Sequence, residues 1–135
     1  MYSGELQYAM FSLAEMMRRY EGARRLMAAQ GVDALFVSGE ENFQYFAGAS
    51  ASVALHYSLT RPSVFVLPLE GDPVVISQGR DSLVLGSYVE DIRDYSGLYE
   101  FPVNPAVLVL RENGCKRVGV ELGQEQRMGM PVGAY

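Results

Sequence analysis

The sequence predicts an α/β fold, a mixed β-sheet flanked by helices. Three observations carry that expectation. Helix-like and strand-like segments alternate along the chain, the order of a layered α/β domain. Two β-branched-rich runs, 63–67 and 73–77, flank Leu69-Glu70-Gly71-Asp72; this is a hairpin signature, so at least one strand pair must be antiparallel. The 135 residues, 49% of them hydrophobic, suit one domain with a core that needs no covalent staples.

The first element is a helix. Ser12 followed by Glu15 has capping-box spacing, the hydroxyl accepting a first-turn amide proton while the carboxylate reaches back. Phe11 and Met16 occupy the two staple positions. Leu13, Met16, Tyr20, Ala23 and Met27 recur at steps of three and four, one apolar face, and Gly31 is a left-handed stop. Residues 1–11 carry no period and read as an arm. The apolar run 34–37 reads as a buried strand. Glu40 to Gly48 reads as a short helix with Phe43 and Phe46 on one face. Residues 49–61 have neither period nor charge before Arg61, and long loops inside compact domains are often functional.

Beyond the hairpin, 80–85 reads as a short helix and 88–95 as a partly exposed strand. Asn104-Pro105 is an N-cap and first-position pair, opening a helix that runs to Asn113 and stops at Gly114. A last strand is expected over 117–121. No internal repeat is visible.

Composition narrows the function. The net charge of −5 and a sequence pI near 4.8 argue against a nucleic-acid partner, which requires a clustered basic face. No run approaches the ~18 apolar residues of a membrane span. The first residues lack the pattern of a signal peptide. One cysteine, Cys115, excludes an internal disulfide and suits a reducing compartment. The expectation is a cytoplasmic domain without membrane contact.

The catalytic inventory is thin. There is one histidine, His56, and no nucleophile elbow or phosphate-binding loop. Cys115 reads as a semi-buried thiol whose pKa is raised at a helix end. The acid pairs Glu40/Glu41 and Glu90/Asp91 read as solvated faces rather than metal sites, and Glu40/Glu41 also favour a helix N-terminus. No residue is assigned as catalytic or metal-ligating. His56, with Tyr57 and Arg61, lies in the long uncharged loop. It reads as a backbone-bonded or exposed histidine, and alternatively as a donor aimed at a ligand in another subunit or domain. Tyr45 reads as a core aromatic beside Phe43 and Phe46, with a functional role like that of His56 as the alternative. Arg61-Pro62 sets an extended approach to the strand that follows.

An ordered series of segments resembles the creatinase/prolidase N-terminal domain, the module preceding the metallohydrolase domain of Xaa-Pro peptidases and creatinase. The matching residues are Arg25-Leu26-Met27, Gly31-Val32-Asp33-Ala34-Leu35 and Glu41-Asn42-Phe43-Gln44-Tyr45-Phe46-Ala47-Gly48. They continue with 61–68 (Arg-Pro-Ser-Val-Phe-Val-Leu-Pro), Gly71-Asp72-Pro73-Val74 and Val118-Gly119-Val120-Glu121. The resemblance implies an arm over 1–11, the domain over 12–125, and over 126–135 the start of a linker to a C-terminal catalytic domain that this chain lacks. It further implies a dimerising domain that shapes substrate access, with Tyr45, His56, Tyr57 and Arg61 as the substrate-access candidates. The parent is expected to be a homodimeric Xaa-Pro dipeptidase or aminopeptidase. In the family two Asp, one His and two Glu of the following domain hold two divalent metal ions, which activate a bridging water and polarise the scissile carbonyl. None of those ligands maps onto this sequence. Two rivals stand beside this reading: the N-terminal domain of a creatinase-like small-molecule hydrolase or lyase, and a stand-alone peptide- or protein-binding module that has lost the enzyme.

Overall fold

The computed structural model describes residues 1–2, 4, 6, 8–49, 62–78, 80–96 and 102–122. Helix α1 (Leu13–Gln30) is followed by strand β1 (Ala34–Val37), helix α2 (Glu40–Ala47) and the hairpin strands β2 (Val64–Pro68) and β3 (Val74–Ile76). Then come α3 (Arg80–Gly86), β4 (Asp91–Arg93), α4 (Val103–Glu112) and β5 (Val118–Gly119). The sheet order is β4-β3-β2-β1-β5. β1–β2 and β2–β3 are antiparallel; β3–β4 and β1–β5 are parallel. The expected mixed sheet with flanking helices is what forms.

Strand alternation sends side chains to two faces, and both are covered. Val37, Phe65, Leu67 and Val75 pack with Met16, Tyr20 and Met27 of α1, Phe43 of α2 and Leu83 of α3. Ala34, Phe36, Val64, Val66, Val74 and Ile76 meet Ala106 and Val109 of α4 on the other side. This is why the central strands read as continuous apolar runs rather than as alternating ones.

The expected stop of α1 forms as read. Gly31 takes φ 64°, its N–H donates to Ala28, and the Val32 N–H reaches the Met27 carbonyl at 2.9 Å, a Schellman-type ending. The capping box forms only by half. Ser12 Oγ accepts from the Glu15 N–H at 3.2 Å, but the Glu15 carboxylate turns forward to Arg18 and Arg19. Two guanidinium groups outcompete one backbone amide for it.

Three boundaries differ from the sequence reading. Helix α4 begins at Val103 with Pro102 as N-cap, not at Asn104-Pro105; Pro105 still falls in the first turn, where a backbone N–H has no intrahelical partner. The strand expected over 88–95 shrinks to Asp91–Arg93, because Ser87 ties the preceding chain elsewhere: its hydroxyl donates to the Ala47 carbonyl at 2.6 Å and accepts from the Val89 N–H. The last strand is Val118–Gly119 only. Opposite its continuation, the Ser38 and Gly39 N–H groups are taken by the Glu121 side chain instead of a ladder.

Candidate functional site

Helix α2 and the groove beside it organise the surface on which the sequence placed its only described access candidate. Of the four, Tyr45 lies in α2; His56, Tyr57 and Arg61 lie outside the described residues. Tyr45 is not the core aromatic the sequence suggested, being 43% exposed. The spacing explains the error. Phe43 and Ala47, four apart, take the buried face of this two-turn helix, which turns the intervening Tyr45 outward.

What positions Tyr45 is Arg19, a side chain only 6% exposed. Its guanidinium lies 3.9 Å from the Phe11 ring centroid and 4.1 Å from that of Tyr45. One nitrogen donates to the Tyr45 carbonyl at 2.6 Å and another to Glu15 at 2.9 Å. Burial of the cation is offset by the carboxylate and the aromatic faces. The Tyr45 ring also meets Phe46 edge-on at 5.0 Å. Hydrogen bonds from Arg18 first, then Arg19, hold the Glu15 carboxyl down to about 2.

The last carbonyls of α2 are each taken by a side chain from elsewhere. Arg19 donates to Tyr45, the Tyr20 hydroxyl to Phe46 and the Ser87 hydroxyl to Ala47, all at 2.6 Å. Burial pushes the Tyr20 hydroxyl pKa upward, so it stays a donor. At the other end Glu121 accepts from the Ser38 and Gly39 N–H groups at 2.7 Å and from Asn42 Nδ2 at 2.6 Å, meeting the positive end of the helix. Sequence reading missed Arg19, Ser87 and this role of Glu121. The one available signal was Arg19 standing beside Tyr20 on the apolar face of α1.

Between α1, α2 and β5 runs an open groove of about 640 Å³. Leu26, Met27, Leu35, Phe46 and Val120 supply apolar wall, Gly119 part of the floor, and Arg18, Arg25 and Tyr45 the rim.

Several further acids and the thiol are tied to structure. Asp33 accepts from the Arg117 and Lys116 N–H groups, which lower its pKa. Asp91 and Glu112 pair with Arg93, while Glu90 pairs with the N-terminal amine. Glu90 and Asp91 therefore face separate partners. Cys115 is semi-buried as expected, but its raised pKa comes first from burial and then from Asp33, not from a helix end. Among the described residues no three His, Cys, Asp or Glu side chains come together as metal ligands, so they do not fit a dinuclear centre. No described helix is long and apolar enough to cross a membrane.

The fold and site thus define an α/β domain with helices on both faces of a mixed sheet, in which Arg19, Arg24, Asp33 and Glu121 hold backbone. The chain belongs to the creatinase/prolidase N-terminal domain family, whose model matches residues 19–130. Solved structures share the fold. An Xaa-Pro aminopeptidase from Streptococcus pyogenes matches at 19% identity and TM-score 0.63, over 84% of this chain and 79% of that one. The N-terminal domain of Xaa-Pro dipeptidase from Lactobacillus brevis matches at 17% identity and TM-score 0.62, over 80% and 79%. Xaa-Pro dipeptidase from Bacillus anthracis matches at 17% identity and TM-score 0.61, over 78% of this chain but only 27% of that one. The chain thus spans about a quarter of that dipeptidase's length. No curated protein sequence matches the chain.

Proposed function

We propose that this chain is the non-catalytic N-terminal domain of a cytoplasmic, dinuclear-metal Xaa-Pro peptidase, where it serves dimerisation and narrows access to the substrate pocket. The observation that supports this most is the family match over 19–130 on a sheet shared with Xaa-Pro dipeptidases and aminopeptidases. The two metal ions belong, in this reading, to a catalytic domain outside this chain, as the family resemblance implies. Tyr45, held outward by Arg19, and the 49–61 segment with His56, Tyr57 and Arg61 are the residues assigned to the pocket mouth.

The test uses the natural polypeptide that contains this sequence. It is purified, loaded with a divalent metal and assayed on Xaa-Pro dipeptides and on creatine, with its mass in solution measured by light scattering. Hydrolysis of the Xaa-Pro bond by a dimer is expected, with KM altered in Tyr45→Ala, His56→Ala, Tyr57→Ala or Arg61→Ala. Turnover of creatine alone moves the protein to the creatinase-like class. Absence of both activities leaves a binding module. Unchanged kinetics and dimerisation in all four variants remove these residues from the mouth.

A further inference from the structure

The groove between α1, α2 and β5 carries a charge pattern that the peptidase reading does not use. Among the described residues its lining includes Arg18, Arg19 and Arg25 and no acidic side chain, in a chain whose net charge is −5. Glu15, just outside it, answers Arg18 and Arg19. Arg25 is exposed and makes no ion pair among the described residues, so the groove keeps an excess of positive charge. Below the arginines the wall is apolar, and Leu26 is 66% exposed, a side chain whose burial by a partner is favourable. Along the floor lies β5, an edge strand paired only with β1 among the described residues. Unpaired strand edges accept extended polypeptide.

We propose that this groove is a docking site for an extended segment of a second polypeptide, apolar on one face and carrying a carboxylate that meets Arg25. Apolar side chains would seat against Leu26, Leu35 and Val120 while the acid meets the rim. Charge complementarity selects this occupant over a basic or neutral strand. The inference does not rest on the peptidase reading.

The experiment selects displayed random peptides on the immobilised 135-residue chain and measures the affinity of the selected peptides by fluorescence anisotropy. Peptides that combine a carboxylate with alternating apolar residues are expected, binding more weakly as salt rises. Leu26→Asp and Arg25→Glu, both at exposed positions, should each weaken binding by about tenfold or more, while Arg111→Glu on α4 leaves it unchanged. The proposal is overturned if nothing is selected, if the peptides lack an acid, or if they bind Leu26→Asp as well as the parent. It is also overturned if NMR of the free chain shows the Leu26 and Leu35 methyls already against residues 123–135, or if light scattering shows that a second copy fills the groove.

Discussion

Glu121 caps α2 through Gly39: its Oε2 lies 2.7 Å from the Gly39 nitrogen, across 82 positions of sequence. The same oxygen accepts from the Ser38 N–H. A residue just past the edge strand β5 therefore satisfies two backbone donors at the start of a helix whose own N-cap, Gly39, has no side chain to offer. Hydrogen bonds to charged groups are worth roughly 1.5–3 kcal/mol. Glu121→Ala is accordingly expected to lower the unfolding free energy by about 2–3 kcal/mol, and Glu121→Gln by less, because an amide oxygen still accepts. Urea unfolding of both variants decides it; equal stability of Glu121→Ala and the parent would dismiss the cap.

Arg19 joins a carboxylate, two aromatic faces and a helix-ending carbonyl. Arg19→Met keeps the apolar stem but strands the Tyr45 carbonyl, at an expected cost of about 2 kcal/mol. Arg19→Lys should recover less than half of that, since an ammonium can neither stack flat between two rings nor fork to two acceptors. Hydrogen exchange at the Gly48 amide, which donates to Gln44, reports whether the last turn of α2 has loosened. Full rescue by lysine would show that charge alone matters.

Two glycines with the same backbone hand separate strain from crowding. Gly48 has φ 73° and a Cβ there would stand 3.1 Å from Met16 Sδ; Gly114 has φ 63° and faces open space. Left-handed backbone costs a non-glycine residue about 1–2 kcal/mol. Gly114→Ala should lose about that much, and Gly48→Ala more, because the buried Met16 must also move. Thermal unfolding of the pair checks the order; equal losses would show that crowding is irrelevant.

Acid should destabilise the fold through two depressed carboxyls. Glu15 is lowered from 4.5 to about 2, and Asp33 is lowered from 3.8. A group whose folded pKa lies below its unfolded value stabilises the protein above the unfolded value, and that contribution is lost as pH falls through the folded one. The melting temperature should therefore fall as pH drops below 4.5 towards about 2. Asp33→Asn, which cannot ionise, should flatten part of that slope. The N-terminal amine has the opposite sign: raised above 8.0 by Glu90, its contribution is present below that value and fades as pH rises through the folded pKa. Melting curves across this range with and without N-terminal acetylation measure it.

Much of the fold was legible because each element follows a local rule. The period of Leu13, Met16, Tyr20 and Met27 marks the face of α1 that packs on the sheet, and Gly31 and Gly48 end their helices where left-handed backbone is needed. The hairpin appeared where Gly71 and Asp72 interrupt two β-branched runs. The family segments were legible too, because helix-to-strand joints such as Gly31-Val32-Asp33 keep short-range spacings.

The site was less legible, since its contacts join residues far apart in the chain. Local sequence determined the elements, the mixed sheet and the apolar strands through periodicity, turn chemistry and capping. Only the tertiary structure decided that Tyr45 faces outward, that Arg19 is buried between Phe11 and Tyr45, and that Glu121 and Ser87 secure opposite ends of α2. The reason is physical. Propensity and period depend on neighbours within a turn or two, whereas a buried cation or a borrowed cap depends on which distant group the packed fold brings within about 3 Å.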